Sequence, residues 1–319
     1  MTFGNLKPIT LVSLCLSLLM FNESNLVNSA PSASIGQYRI IGYEPSWVAP
    51  HAIAYSKLTH LNYAFLQANP DGSLNTTGMN LPKMQTIIKD AQAQGVKVLI
   101  SVGGASNTQL SAAATKARAK LISNIEAFAN QYGFDGIDID WEGPANATEG
   151  AAYLALMQKL YADLHPVGKL VTSAVGTWFG ENIPNGSFAH MDFLNIMAYD
   201  GDGIDHSPYT LAQSDLSYWL GKGLPKSKAV IGVPFYGYNA VGRQTYTETQ
   251  YKDIVAADPG AANKDLSNGF GYNGIPTIKR KTQLAMTSAS GIMIWQLSED
   301  TTGKTSLLSA IFETMTAHR

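Results

Sequence analysis

Eight short segments rich in Ile, Val and Leu recur at residues 38–43, 60–65, 97–104, 136–142, 170–176, 193–200, 229–237 and 291–297. Helical patterns fall between several of them, over 81–94, 112–132, 150–164, 211–221 and 277–288, and a last one over 305–316 closes the chain. Apolar runs this short suit strands covered on both faces better than helices. Strands that alternate with helices run parallel, because each helix carries the chain back to its starting edge. The pattern therefore predicts one α/β domain, a (β/α)8 barrel, a fold whose usual length is about 250 residues. A doubly wound open sheet is the structural rival. It calls for a Gly-rich phosphate loop after an early strand, and Ser101-Val102-Gly103-Gly104 is not G-x-G-x-x-G.

The fourth segment carries the chemistry. From Ile137 to Trp141 apolar residues alternate with acids, so Asp138, Asp140 and Glu142 fall at i, i+2 and i+4. A strand sends alternate side chains to opposite faces, which puts the three carboxyls on one face and Ile137, Ile139 and Trp141 on the other. Neighbouring carboxylates disfavour each other's ionisation, so at least one pKa should be raised, as a proton donor working near neutral pH requires. An acidic edge strand or a divalent-cation site are the alternatives. An edge would not carry Ile-Ile-Trp behind it, and a hard cation would need more converging oxygens. Asp135, just before the strand, is read as a turn or structural hydrogen-bonding residue.

In a barrel the working face is the C-terminal end of the strands. Those ends hold Tyr43 to Trp47, Phe65, Ser101 to Ala105, Trp178, Met197 to Asp200, Phe235 to Tyr238 and Trp295. Rings and hydrogen-bonding groups dominate, as in sites that pack apolar sugar faces and pair hydroxyls. Trp47 and Trp178 follow strand ends and are either sugar platforms or ordinary packing. Trp219, beside Leu216 and Leu220, is read as core.

Asp135-Gly136-Ile137-Asp138-Ile139-Asp140-Trp141-Glu142 resembles the Asp-x-x-Asp-x-Asp-x-Glu signature of glycoside hydrolase family 18, the chitinases and their relatives, at every acid. Ser101-Val102-Gly103-Gly104 is similar to the family's Ser-x-Gly-Gly, and Met197-Ala198-Tyr199-Asp200 to its Met-x-Tyr-Asp. Asn62-Tyr63-Ala64-Phe65 and Gly291-Ile292-Met293-Ile294-Trp295 match its second and last strands, all in order. The resemblance implies substrate-assisted, retaining hydrolysis of β-1,4 links between N-acetylglucosamine units, with no cofactor and no metal. The sugar's acetamido oxygen is then the nucleophile. On this reading Glu142 is the general acid at the mouth of the strand. Asp140, about 6.6 Å back along the backbone, takes the acetamido N–H and shares a proton with Asp138 or Glu142. Tyr43 and Ser101 flank Asp138, Tyr199 donates to the acetamido oxygen, and Asp200 helps hold the distorted sugar. Trp295 forms the floor, and Met197 packs near the acetamido pocket.

Larger relatives carry a small domain inserted after the seventh strand. Here residues 238–276 are expected to hold only a short helix, 248–257, leaving an open groove served mainly by Trp47, Trp178 and Trp295. An open groove favours endo-acting cleavage. The enzymatic alternative is an endo-β-N-acetylglucosaminidase acting on N-glycans or related glycans. An inactive chitin-binding lectin on the same fold is the alternative from another class, and such proteins typically lack the acid that Glu142 supplies here.

Only 14% of the 319 residues are charged, well under the roughly 25% of an average domain, and the net charge is −2. No basic stripe exists for nucleic acid. The six histidines show no ligand spacing for a metal. Lys7, the apolar run 9–21 and a small-residue stretch resemble a secretory signal ending at Ser29 or Ala30, with 31–319 as the catalytic barrel. The run is too short for an ordinary membrane span. Cys15, the single cysteine, lies within it, so a mature form would contain no disulfide. The expectation is a secreted monomer whose partner is chitin or N-acetylglucosamine oligosaccharides, with no membrane attachment after cleavage.

Overall fold

A computed structural model describes residues 1–2, 38–105, 107–242 and 245–317. The expected signal run and its cleavage point lie outside the described residues.

Eight parallel strands close on themselves: β1 (Arg39–Pro45), β2 (His60–Ala68), β3 (Lys97–Gly103), β4 (Gly136–Asp140), β5 (Leu170–Val175), β6 (Phe193–Ile196), β7 (Ala229–Pro234) and β12 (Gly291–Trp295). Each pairs with its predecessor, and β12 returns to β1 through Arg39↔Gly291, Ile40↔Ile292, Ile41↔Met293 and Gly42↔Ile294. The (β/α)8 barrel read from the periodicity is present. Helices α1 (Leu81–Gln92), α2 (Leu110–Lys116), α3 (Arg118–Tyr132), α4 (Ala147–Leu164), α5 (Tyr209–Gly221), α6 (Tyr251–Ala257), α7 (Ile275–Ser288) and α8 (Leu307–Thr316) follow the strands.

Two apolar clusters result. A large one fills the layer between helices and barrel and contains Ile137, Ile139 and Trp141, with Trp141 edge-on to Tyr153 of α4. A smaller one fills the bore with Ile41, Tyr43, Phe65, Phe193, Met197, Tyr199, Tyr236 and Met293. The period-two pattern of β4 thus sorts its isoleucines outward and its aspartates inward. Trp219 is fully buried among the outer cluster, as expected of a core residue.

Local signals explain the helix starts. Asn80 and Asn146 cap α1 and α4 through side-chain oxygens that accept from the Lys83 and Glu149 backbone N–H groups. The single helix expected over 112–132 is two helices, broken at Ala117 (φ −132°). The turn at Gly72 packs against this break, and the Gly72 carbonyl accepts from Asn124 Nδ2 at 2.8 Å. Several strands stop early, two of them at the candidate site. The fourth, expected to reach Glu142, ends at Asp140, and the sixth, expected to reach Asp200, ends at Ile196.

The largest departure lies after β7. Residues 238–276 hold more than the short helix expected there. β8 (Tyr236–Gly242) and β9 (Thr245–Gln250) form an antiparallel hairpin, extended by the two-residue strands β10 (Leu266–Ser267) and β11 (Phe270–Gly271) into a four-stranded sheet. Helix α6 begins only at Tyr251, because Glu248, Thr249 and Gln250 are taken by β9. The segment forms no compact unit of its own.

Candidate active site

Asp138 and Asp140 point into the bore from adjacent inward positions of β4, and their surroundings differ sharply. Asp138 is fully buried and accepts four hydrogen bonds. Tyr43 Oη (2.6 Å) and Ser101 Oγ (2.8 Å) donate to Oδ2, while Thr172 Oγ1 (2.6 Å) and Asn195 Nδ2 (3.4 Å) donate to Oδ1. Burial pushes its pKa up, and these four donors pull against that rise. Among the described residues no hydrogen bond joins Asp138 to Asp140. The expectation that those two carboxyls share a proton is replaced by a carboxylate whose lone pairs are already filled.

Asp140 is 4% exposed and its Oδ1 has no hydrogen-bond partner. Burial raises its pKa well above the ordinary value, and the charges of Glu142 and Asp138 add to the rise. Of the three acids on this face, Asp140 is the one whose carboxyl both burial and two neighbouring charges press toward the protonated form. Glu142, just past the end of β4, is partly exposed and its carboxyl accepts from the Ala105 N–H. Burial and then the charge of Asp200 raise its pKa.

A cavity of about 140 Å³ opens above these groups, lined by Asp140, Glu142, Tyr43, Phe65, Trp178, Met197, Tyr199, Asp200 and Trp295 together with Ala105 and Ala174. Nine of the residues singled out from sequence thus meet in one place. Trp295 stacks on Phe65 with centroids 5.5 Å apart and 16° between planes. Trp47 leans on the same pair at 6.1 Å from Phe65 and 6.4 Å from Trp295, itself 60% exposed at the rim. Trp178 is 50% exposed across the mouth. Ser101 lies beside Asp138, where the resemblance puts it, but beneath the cavity rather than on its lining: it is fully buried and its hydroxyl is spent on Asp138. Among the described residues the Tyr199 hydroxyl donates only to the Met293 sulfur, at 3.9 Å, a weak acceptor that a stronger one could replace.

Asp200 takes a left-handed backbone (φ 60°) and is held by hydroxyls that sequence reading left unassigned. Tyr236 Oη and Tyr238 Oη donate to its Oδ1 at 2.5 and 2.9 Å. His206 Nδ1 lies 3.3 Å from the Asp200 backbone nitrogen, where it accepts when unprotonated, and 3.5 Å from Oδ1, which it faces when protonated. Burial would raise Asp200, but His206, Tyr236 and Tyr238 outweigh it and hold the carboxyl below its ordinary value. The loop bearing His206 is pinned from below by Lys281 of α7, which donates to Ser207 O (2.6 Å), Ser207 Oγ (2.7 Å) and Asn273 Oδ1 (2.6 Å). Burial brings Lys281 down to about 7.

Sequence reading also missed Thr172 and Asn195. Each is a lone polar residue on an inward position of an apolar strand, and such a residue is costly to bury without a partner. That was the available signal. Gly103 (φ 119°) shows why a glycine ends β3: a Cβ there would lie 2.0 Å from the Asp140 carbonyl oxygen. Among the described residues no group of His, Cys, Asp and Glu converges closely enough to hold a metal ion.

The model of the glycosyl hydrolases family 18 matches residues 39–300. A class V chitinase from Arabidopsis thaliana is 30% identical over 71% of this chain and 69% of its own length. The crystal structure of a chitinase from Bacteroides thetaiotaomicron superposes with a TM-score of 0.81 at 29% identity, covering 88% of this chain and 98% of that one. The crystal structure of a chitinase from the chitin utilization locus of Flavobacterium johnsoniae gives a TM-score of 0.76 at 30% identity, covering 88% and 94%.

Proposed function

The chain belongs to glycosyl hydrolase family 18, and on that premise we propose that it is a secreted, endo-acting chitinase that cleaves β-1,4 links between N-acetylglucosamine units with retention. The observation that carries this reading is the buried Asp140, whose Oδ1 has no hydrogen-bond partner, beside Glu142 in a ring-lined cavity. A buried oxygen without a donor is costly, and an acetamido N–H in the cavity would supply that donor. The acetamido oxygen, oriented by Tyr199 Oη, then attacks the anomeric carbon from below. Glu142 donates its proton to the departing glycosidic oxygen, so the leaving sugar departs as an alcohol and an oxazolinium ion remains. Water, deprotonated by the same Glu142, opens that ion on the face from which the leaving group departed. Holding the N–H, Asp140 stabilises the positive charge that develops on the acetamido group. Asp138, immobilised by its four donors, lies beneath Asp140, and its charge adds to the rise in the Asp140 pKa. Trp295 offers a flat apolar floor, and Trp47 and Trp178 stand exposed where a polymer would pass.

Proton NMR during the first minutes of hydrolysis of N-acetylglucosamine oligomers tests the mechanism. The β-anomer should form first, and fully deacetylated chitosan should resist cleavage; dominant α-anomer would overturn substrate assistance. Mass analysis of products from chitin oligomers and from a high-mannose glycoprotein decides the substrate. Release of the glycan alone would favour the endo-β-N-acetylglucosaminidase reading.

A further inference from the structure

The β8–β9 hairpin has one face that continues outward from Asp200. Tyr236, Tyr238, Tyr246 and Glu248 share it, because residues two apart on a strand point the same way and the register pairs Tyr236↔Gln250 and Tyr238↔Glu248. Exposure rises along this line. Tyr236 is 2% exposed over Asp200, Tyr238 is half-buried, and Tyr246 is 38% exposed. Tyr238 and Tyr246 stack with centroids 5.8 Å apart and 20° between planes, and Tyr236 and Tyr238 lie 5.5 Å apart. The opposite face is backed by protein, since a Cβ at Gly237 would meet Tyr272 and Ile254 within 3.0 Å. On the tyrosine face the His206 ring packs against Tyr236 and Tyr238, with centroids 4.9 and 4.4 Å away, so Tyr246 is its exposed end, and the face begins at a carboxylate that already lines the cavity.

A stacked pair of tyrosines could serve only to brace the hairpin. Bracing alone does not call for a carboxylate on the same exposed face. Glu248, directly opposite Tyr238, adds an acceptor beside the rings, and its pKa is raised first by burial and then by Asp200, which places it in the field of the cavity. Rings next to a hydroxyl and a carboxylate are what a neutral, hydroxyl-rich ring needs: an apolar face to lie on and acceptors at its edge.

We propose that this face is an additional sugar subsite, in which one further N-acetylglucosamine unit of the bound oligomer lies on Tyr246 with its hydroxyls directed to Glu248 and the Tyr238 hydroxyl. The proposal rests on the chitinase reading above. It makes the hairpin a wall of the groove on the β7 side, where an open groove with few platforms had been expected.

Titration calorimetry with trimer and hexamer of N-acetylglucosamine, in the Glu142→Gln background so that nothing is cleaved, tests it. Adding Tyr246→Ala should weaken hexamer binding roughly 3–10-fold and trimer binding by much less, and Tyr246→Trp should restore the hexamer. Thermal unfolding of each variant separates the bracing role, which would shift the melting temperature without a dependence on oligomer length. Equal loss for trimer and hexamer, or no loss for either while the hexamer still binds, would overturn the subsite and leave the chitinase reading standing. Failure of the Glu142→Gln protein itself to bind either oligomer would overturn the underlying reading and the subsite with it.

Discussion

Asp135 and Asp140 stand at opposite ends of β4, in surroundings that drive the same side chain in opposite directions. At the entry end Asp135 accepts from the Val98 backbone N–H, Gln92 Nε2 and Lys97 Nζ, each at 2.9 Å. Burial would raise its pKa, but these donors outweigh burial and lower it. At the exit end Asp140 has no donor, and two carboxyls rather than a lysine act on it, so its pKa rises. One end of the strand uses a charge to tie the barrel together; at the other, burial and neighbouring charge favour the protonated form. Composition cannot distinguish them, because the difference lies in what the neighbouring strands present.

Three substitutions sharpen this contrast. The largest effect belongs to the exit end: Glu142→Gln preserves shape and removes the donated proton, so turnover on chitin oligomers should fall roughly 10²–10⁴-fold. A variant keeping more than about a tenth of parental turnover would break the assignment. Asp140→Asn comes next, with a fall of roughly 10–10²-fold and a displaced pH profile. The charge of Glu142 raises the pKa of Asp140, so the two titrate as a pair, and replacing Asp140 with a group that cannot ionise should displace the alkaline limb of kcat. A limb that stays in place would show that the two carboxyls do not communicate. The smallest effect is expected from Asp135→Asn, read by urea unfolding: about 1–2 kcal/mol lost at pH 7, mostly from the Val98 bond, because the exposed Lys97 pair is screened. Its folded pKa lies below the unfolded one, so this stability is present above about pH 4 and vanishes as pH falls through the folded value. Parent and variant should converge once the pH lies below the folded value, with activity at pH 7 unaltered.

The parts legible in sequence were those set by periodicity. All eight barrel strands appear in the predicted order, and the alternation of β4 sorts acids inward as its pattern requires. What escaped was set by tertiary contact. The break at Ala117 has no glycine or proline to announce it in Ser111-Ala112-Ala113-Ala114-Thr115-Lys116-Ala117; it exists where the Gly72 turn packs. The hairpin escaped because Thr245-Tyr246-Thr247-Glu248-Thr249 is rich in strand formers, yet its last residues were assigned to the helix that follows. At the site, the acids and rings stood out by type, whereas Thr172, Asn195 and His206 acquire meaning only from the carboxylates that the closed barrel brings to them.

The hydrogen bonds around Asp138 come from β1, β3, β5 and β6, so this one carboxylate on β4 holds five of the eight staves together. Glu142, on the loop beyond the strand, holds none of them. The two residues therefore differ in how a lineage could part with them. On the proposed mechanism, drift at Glu142 would silence the chemistry and leave the body of the barrel intact for selection to reuse, while drift at Asp138 would strand four buried donors and threaten the body itself. Descent from such an ancestor should be easier to trace through the buried aspartate than through the proposed acid.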